Sequence, residues 1–339
     1  MKALVTGGTG FLGAALIRRL RAEGVRVRAL RRPDSNRPVD ADEIVTGDLR
    51  RAMDLAPALA GMDWVFHAGA RVSRTGAWEE FQTVNVDATA ELIRLAVEAR
   101  VRRFVHVSSL SVYAVPHDDA EVTEDSGFEP DGSERGYYAR SKLAADQVAA
   151  TAASRGAPVT IVRPGLLYGA GRRPPLARRA RSVGPFQLIF ARPGYLLPLA
   201  YVDNVADALY LAAASDRAVG RAYTIVDEHV PQRDYLRLYR SIAGATWVPI
   251  YLPARLLGPA VGVVETLVKA AGRRPPVTRH QLERTVWSAT FSTARARDEL
   301  GWCPRVSLET AIRRSLTAGP GQATPATGGI RPAAQTTAP

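Results

Sequence analysis

The chain has 339 residues, of which 46% are hydrophobic and 23% charged, as is ordinary for globular proteins. Its formal net charge of +12 comes from arginines spread along the sequence, with no helix-turn-helix, zinc-finger or aromatic-interleaved basic motif, so we expect no nucleic-acid partner. The single cysteine, Cys303, excludes an internal disulfide and favours a reducing cytoplasm. We expect no signal peptide, since the first apolar run lacks a preceding basic region.

Short apolar runs alternate with stretches of helical periodicity in the first half of the chain. The sequence predicts strands over Lys2–Thr6, Val25–Leu30, Glu43–Val45, Trp64–His67, Phe104–Val107 and Val159–Val162. It predicts helices over Phe11–Ala22, Ala88–Ala99 and Tyr137–Ser154. Alternation of this kind indicates an α/β fold with a parallel sheet that is covered by helices on both faces.

A glycine-rich loop, TGGTGFLG, joins the first predicted strand to the first predicted helix. Its G-x-x-G-x-x-G spacing allows a tight turn and close backbone approach, so that amides at the helix start can hold a pyrophosphate. In this strand–loop–helix context the loop predicts dinucleotide binding and a doubly wound Rossmann sheet. The residues expected to contact the cofactor here are Gly7, Thr9, Gly10, Phe11, Leu12 and Gly13.

The pattern loosens after Pro164, where Pro and Gly become frequent. We therefore expect an NAD(P)-binding Rossmann domain over residues 1–170, to which residues 201–228 return. A smaller, mostly helical C-terminal substrate domain would take residues 171–200 and 229–317. Residues 318–339 are rich in Pro, Gly, Thr, Ala and Gln, and this composition predicts a disordered tail.

The end of the second strand predicts the choice of dinucleotide. An acidic side chain there would bind the adenosine ribose, whereas Arg31 and Arg32 suit a 2′-phosphate. We expect NADP(H) to be preferred and NAD(H) to be accepted, although either arginine could instead point to solvent. Asp48 and Leu49, which follow the third strand, are expected near the adenine. Asp48 could equally cap the following helical turn.

The stretch GYYARSK places Tyr138 four residues before Lys142, in a chain whose only other lysines are Lys2 and Lys269. Residues at i and i+4 share one face of a helix, so the phenol and the ammonium project together. A nearby cation lowers the pKa of a tyrosine and makes it a usable acid or base near neutral pH. We interpret Tyr138 and Lys142 as a catalytic pair.

The glycine loop occurs together with VSSLSVY (Val107–Tyr113), YYARSK (Tyr137–Lys142) and RPGLLYG (Arg163–Gly169). This combination resembles the extended short-chain dehydrogenase/reductase superfamily, and within it the NAD-dependent epimerase/dehydratase family and its 3β-hydroxysteroid dehydrogenase-like branch. The resemblance runs from Met1 to about Leu316. It implies an NAD(P)-dependent oxidoreductase that acts on CH–OH groups.

The resemblance also implies roles for individual residues. Tyr138 would donate and accept the proton, Lys142 would hold the nicotinamide ribose, and Ser109 would bond to the reacting oxygen. Tyr137 is expected to pack, because it is five rather than four residues from Lys142. No metal is expected. Further residues implied to lie around the dinucleotide are Ala68, Gly69, Ala70, Arg71, Asn85, Pro164 and Gly165.

Two departures from the family's pattern concern the substrate. Leu110 and Ser111 stand where sugar dehydratases of the branch carry an Asp-Glu pair, and Leu166 stands where nucleotide-sugar enzymes usually carry an asparagine that touches the diphosphate. Both favour an alcohol or ketone with an apolar body. The alternatives are a nucleotide-sugar epimerase that uses the same Tyr, Lys and Ser, and an NAD(P)-sensing regulatory protein. Regulators of this kind typically lose the tyrosine or the lysine.

The apolar segment Trp247–Val268 allows three interpretations: the lining of a substrate pocket, a surface that rests on a membrane, or the core of the smaller domain. Its proline and charged residues argue against a membrane span. The expected partners are a small-molecule substrate, a second copy in a homodimer and a peripheral membrane surface. The expected location is the cytoplasm, with membrane association left open.

Overall fold

The computed structural model describes residues 1–73, 75–114, 121–128, 136–172, 180–189, 194–252, 254–270 and 289–317. The tail predicted over residues 318–339 lies outside the described residues.

The strands are β1 (Lys2–Thr6), β2 (Arg26–Arg31), β3 (Glu43–Thr46), β4 (Trp64–His67), β5 (Arg103–Val107), β6 (Glu121–Val122), β7 (Val159–Pro164), β8 (Leu166–Tyr168), β9 (Ala180–Val183), β10 (Phe186–Ile189), β11 (Leu196–Tyr201), β12 (Ala222–Ile225), β13 (Glu228–Pro231), β14 (Val248–Tyr251) and β15 (Thr290–Phe291). The helices are α1 (Phe11–Ala22), α2 (Ala56–Leu59), α3 (Trp78–Phe81), α4 (Ala88–Glu98), α5 (Tyr137–Ser154), α6 (Val202–Ala214), α7 (Gln232–Ala243), α8 (Ala254–Ala270), α9 (Ala294–Leu300) and α10 (Leu308–Thr317). Short 3₁₀ segments span Leu49–Leu55, Leu110–Val112 and Asp216–Ala218, and a π-helical turn spans Gln82–Asp87.

Within the described residues, seven parallel strands form the large sheet, in the order β12–β7–β5–β4–β1–β2–β3. Apolar side chains are buried against helices on both faces of this sheet. On one face α1 and α6 pack residues such as Leu16 and Leu209, and on the other α4 and α5 pack Leu92 and Ala149. Coverage on both faces explains why the strands read as continuous apolar runs. This is the doubly wound Rossmann sheet that the sequence predicts.

The strand order reverses between β1 and β4, so the loops after these two strands meet at the carboxyl edge of the sheet. Such a switch point is where doubly wound folds bind ligands. Gly7 has a φ of +72°, and a Cβ on it would lie 2.7 Å from the backbone nitrogen of Gly69. The two loops therefore touch through their backbones, and a side chain at Gly7 would separate them.

The bounds of β1, α1, β4 and α5 are those predicted, and β2, β3, β5, β7 and α4 differ from their predicted bounds by one or two residues. The sequence pattern predicts no strand after Val162. The structure adds β12 to the large sheet beside β7 and forms two three-stranded sheets, β13–β11–β8 and β14–β10–β9.

A tyrosine-rich cluster fills the space between the sheet β13–β11–β8 and helices α7 and α10. It buries Tyr168, Tyr201, Tyr235 and Ile312. In the segment Trp247–Val268, Trp247 and Tyr251 are half-buried against this cluster.

Helix α8 presents large apolar side chains to solvent, with Val263 61% exposed and Leu267 64% exposed. These two side chains of the apolar segment are therefore not part of the core of the smaller domain. None of the helices within the described ranges combines the length and the apolar character that a bilayer span requires.

Candidate active site

The glycine loop offers a cradle for a dinucleotide. Gly10 directly precedes α1 and carries no side chain that could cap it, so the first amides of the helix point toward the switch point. The backbone amide of Gly10 donates to the carbonyl of Gly7 at 2.8 Å, which closes the turn. A Cβ on Gly13 would collide with the carbonyl oxygen of Gly7. These features fit a bound pyrophosphate.

Helix α5 carries the predicted catalytic pair. Tyr138 lies in its first turn and is half-buried, and Lys142 lies one turn later with only 5% of its surface exposed. The Nζ of Lys142 donates to the carbonyl of Val107 at 2.7 Å, which brings the ammonium to the end of β5. Burial lowers the pKa of Lys142 to about 8, and the negative charge of Asp146 partly opposes this shift.

The neighbouring Tyr137 packs, as expected. Its ring centroid lies 5.8 Å from that of Trp78 and 6.0 Å from that of Phe81. The guanidinium of Arg140 stacks over the ring of Trp78 at 4.0 Å. Helix α3 therefore packs against the first turn of α5, in which Tyr138 lies.

Two consecutive serines follow β5, and the structure separates their roles. Ser108 is buried and donates to Asp146 at 2.6 Å. Ser109 is half-buried, and its hydroxyl accepts from the backbone nitrogen of Ser111 at 3.2 Å. No acceptor for the Ser109 proton occurs among the residues that the structure describes. The hydroxyl of Ser109 is thus able to donate a further hydrogen bond, and its role toward the reacting oxygen stays a prediction.

A buried ion pair lies directly behind these serines. Arg163 donates from Nε and Nη2 to the two carboxylate oxygens of Asp146, at 2.9 and 2.8 Å. Its Nη1 donates to the hydroxyl of Tyr113 at 2.8 Å. Ser108 and Asp146 are not among the residues predicted from the sequence. The signal was present, because Asp146 follows Lys142 at the same four-residue spacing that relates Lys142 to Tyr138.

Asn85 lies in the π-helical turn and is 2% exposed. Its Oδ1 accepts from the backbone nitrogen of Arg71 at 2.7 Å, and its Nδ2 donates to the carbonyl of Arg71 at 3.2 Å and to Oγ of Ser141 at 2.8 Å. Asn85 therefore ties the loop after β4 to helix α5. Its side chain thereby fixes the backbone of Arg71 in the loop that is predicted to contact the cofactor.

The residues predicted to lie near the adenosine half of the cofactor differ in their exposure and in their contacts. Arg31 ends β2 and is half-buried, whereas the exposed Arg32 faces Asp34 at 3.5 Å. Asp48 accepts from the backbone nitrogen of Arg50 at 2.9 Å and caps the segment Leu49–Leu55, so the capping alternative describes its contact. Hydrogen bonding from Arg50 lowers the pKa of Asp48, and the positive charge of Arg32 adds to this effect.

The motif after β7 leads from the large sheet to the tyrosine-rich cluster. Pro164 ends β7, and a Cβ on Gly165 would lie 2.5 Å from the carbonyl oxygen of Pro198. Leu166 begins β8 and packs half-buried against the tyrosine-rich cluster. The position at which nucleotide-sugar enzymes usually carry an amide donor is thus part of an apolar contact.

Known proteins resemble this chain over most of its length. The sequence matches the model of the NAD dependent epimerase/dehydratase family over residues 3–225. A 2-alkyl-3-oxoalkanoate reductase of Stenotrophomonas maltophilia is 32% identical over 93% of this chain and 98% of its own length. A 3 beta-hydroxysteroid dehydrogenase/Delta 5→4-isomerase of Mycobacterium tuberculosis is 30% identical over 93% of this chain and 89% of its own length.

Solved structures show the same fold. The crystal structure of gox2253 has a TM-score of 0.79 and 29% identity, and the match covers 93% of this chain and 96% of that one. MoeE5, in complex with UDP-glucose and NAD, has a TM-score of 0.70 and 27% identity over 93% of this chain and 97% of its own. The chain therefore belongs to the NAD dependent epimerase/dehydratase family of the extended short-chain dehydrogenase/reductase superfamily, and it is an oxidoreductase that acts on CH–OH groups.

Proposed function

We propose that the protein interconverts a secondary alcohol and a ketone on a largely apolar substrate, with NADP(H) as the preferred cofactor. The observation that carries this proposal is the placement of the buried Lys142 ammonium one turn from Tyr138, at the end of β5 where Ser109 lies. When bound, the nicotinamide exchanges a hydride with the carbon atom of the reacting group.

The side chains supply the proton and hold the reacting oxygen. In the reductive direction Ser109 donates a hydrogen bond to the ketone oxygen, and the phenol of Tyr138 transfers its proton to that oxygen. The ammonium of Lys142 favours the phenolate that results, and it retains N–H donors beyond the one given to Val107 for the ribose hydroxyls. In the oxidative direction the same phenolate accepts the proton of the alcohol.

The apolar substrate is supported by the surroundings of Leu166. A leucine side chain has no hydrogen-bond donor for a diphosphate, and this one packs with the tyrosine-rich cluster. The 2-alkyl-3-oxoalkanoate reductase and the 3 beta-hydroxysteroid dehydrogenase among the relatives are named for substrates with a large hydrocarbon part. We propose a sterol-like or long-chain 3-hydroxy/3-oxo compound.

A nucleotide-sugar epimerase is the second candidate, because MoeE5 in complex with UDP-glucose shares the fold and 27% of the sequence. It would use the same tyrosine, lysine and serine. An NAD(P)-sensing regulatory protein is less well supported, since the chain retains both Tyr138 and Lys142.

The test compares Tyr138→Phe with Tyr137→Phe, using NADPH oxidation with a 3-oxosteroid and a 2-alkyl-3-oxoalkanoate as substrates. Loss of a positioned acid or base lowers kcat by about 10²–10⁴-fold, so Tyr138→Phe should lose this much while its NADPH affinity stays within about twofold. Tyr137→Phe should keep most of the turnover. If Tyr138→Phe retains more than half of the wild-type kcat, the assignment is wrong.

Thermal-shift titration of the NADPH-loaded protein separates the two candidate substrates. We expect apolar 3-oxo compounds to raise the melting temperature and UDP-glucose to leave it unchanged. Stabilisation by UDP-glucose alone would reject the apolar substrate in favour of the epimerase.

A further inference from the structure

A chain of hydrogen bonds runs beneath the site, between the sheet and helix α4, through side chains to which the proposed reaction assigns no role. It joins Thr6 at the end of β1, His67 at the end of β4 and Thr89 in α4. At most 1% of each is exposed. Oγ1 of Thr6 lies 2.8 Å from Nδ1 of His67, and Nε2 of His67 lies 3.0 Å from Oγ1 of Thr89.

The contact at the Thr89 end determines the direction of the bonds through His67. The backbone nitrogen of Gly69 donates to Oγ1 of Thr6 at 3.1 Å, and the hydroxyl of Thr89 donates to the carbonyl of Asn85 at 2.7 Å. A hydroxyl has one proton, so Thr89 can only accept from His67. The proton of the imidazole therefore lies on Nε2, and Nδ1 accepts the proton of Thr6.

The ring of His67 is neutral at physiological pH. Burial lowers its pKa to about 3, and the positive charge of Lys142 contributes to this shift. A second proton on Nδ1 would also leave the hydroxyl of Thr6 without its acceptor. The Nε2–H tautomer is thus the one form that satisfies both neighbouring threonines.

The chain connects the two halves of the site. At one end Gly69 lies against the glycine loop, as the close approach of Gly7 shows. At the other end Asn85 binds Ser141, and Oγ of Ser141 donates to the carbonyl of Tyr138 at 2.9 Å. Hydrogen bonds through Thr6, His67 and Thr89 therefore reach the carbonyl of Asn85, and the side-chain amide of Asn85 continues the connection through Ser141 to the carbonyl of Tyr138. At the other end the connection meets the glycine loop through the close backbone approach of Gly69 to Gly7.

We infer that His67, as the neutral Nε2–H tautomer, is a positioning residue that holds the loop of residues 68–71 in register with helix α5. The buried ring of His67 is assigned no contact with the reacting atoms or with the pyrophosphate. Its effect passes through Gly69 to the cofactor and through Asn85 to the catalytic helix. The inference rests on the proposed function for the identity of the cofactor and of the catalytic tyrosine.

The first experiment measures the tautomer in the NADPH-bound protein. Nitrogen-15 NMR of the histidine rings, with the His67 signals assigned by their loss in His67→Asn, should show a protonated Nε2 and an unprotonated Nδ1. The pattern should not change between pH 8 and pH 5, because the pKa of His67 lies at about 3. A proton on Nδ1, or titration within this range, would overturn the inference.

The second experiment measures NADPH affinity by calorimetry for His67→Leu and for the matched control His106→Leu. His106 lies 5.7 Å from His67, ring centroid to ring centroid, and is equally buried. Neither of its ring nitrogens has a hydrogen-bond partner among the described residues. We expect His67→Leu to weaken NADPH binding about tenfold, as for one or two lost hydrogen bonds, and His106→Leu to leave it within about twofold.

Two further variants keep the test decisive if His67→Leu does not fold. Thr89→Val removes the hydroxyl that accepts from His67, whereas Thr89→Ser retains it. We expect weaker NADPH binding in the first and near-normal binding in the second. Equal affinity in the two Thr89 variants, or an equal loss in the two leucine variants, would contradict a positioning role. These experiments measure NADPH affinity and the histidine tautomer, and neither depends on turnover. If the proposed function is wrong, the turnover of Tyr138→Phe will show it independently of these results.

Discussion

Replacing Lys142 by methionine is expected to stabilise the folded protein while it impairs NADPH binding and turnover. The ammonium is 5% exposed, and burial lowers its pKa from 10.5 to about 8. A shift of this size corresponds to about 3 kcal/mol of unfavourable free energy for the charged form in the folded state. Methionine has a similar length and carries no charge, so it avoids this penalty.

The substitution also removes the bond from Nζ to the carbonyl of Val107, which is worth about 1 kcal/mol. We therefore expect Lys142→Met to raise the free energy of unfolding by about 2 kcal/mol at pH 7. The benefit depends on pH. Between the folded pKa of about 8 and the unfolded value of 10.5, the unfolded chain binds more protons, so the wild type gains stability as pH rises. The difference between the two proteins should shrink over that window.

The assay is urea unfolding of the wild type, Lys142→Met and the control Lys2→Met at pH 7 and at pH 9.5. Lys2 is exposed at the start of β1, so its substitution should leave the free energy of unfolding nearly unchanged. The reasoning is refuted if Lys142→Met is less stable than the wild type at pH 7, or if it retains the wild-type dependence on pH. The combination of higher stability and lost function would show that this lysine is present for chemistry.

Three shorter predictions concern other parts of the molecule. Arg31→Asp should weaken NADPH binding at least tenfold, since a charge-assisted phosphate contact contributes about 1.5–3 kcal/mol. The ratio of NADPH affinity to NADH affinity should therefore fall or invert. Calorimetry that shows the wild type binding NADH more tightly than NADPH would contradict this prediction. Asp146→Asn leaves the buried Arg163 without its counter-charge and should lower the free energy of unfolding in urea by about 3–5 kcal/mol; a loss below about 1 kcal/mol would show that the pair is not essential to the core. If α8 rests on a membrane surface, the protein should float with anionic vesicles and Leu267→Asp should reduce this binding, whereas equal flotation of the two proteins would exclude α8 as the contact.

The local parts of the site could be predicted from the sequence because their signals lie within a few residues of one another. The glycine spacing identifies the cradle between β1 and α1, and the four-residue spacing places Tyr138 and Lys142 on one face of α5. The same holds for β2, β3, β4, β5, β7 and α4, which apolar runs or apolar periodicity predict, whereas β6, α2 and α3 are too short to show such a pattern. Each of these features depends on backbone geometry that a short segment adopts by itself.

The contacts that give each side chain its role depend on residues far apart in the chain. Ser108 and Ser109 are equivalent in the sequence, and only the approach of Asp146, 38 residues from Ser108, separates a structural serine from one that can meet a substrate. The tautomer of His67 depends on Thr89, 22 residues away. The sheet β14–β10–β9 likewise pairs Phe186 with Val248, and neither segment has a strong pattern of its own.

The sequence by itself thus determined the Rossmann architecture, the glycine turn between β1 and α1 and the placement of Tyr138 one turn before Lys142, because local spacing and periodicity encode them. The tertiary structure decided the pKa of Lys142, the direction of the hydrogen bonds through His67 and the apolar setting of Leu166. The physical reason is that desolvation, charge and hydrogen-bond direction are set by all the groups that surround an atom. Those groups come together only when the chain has folded.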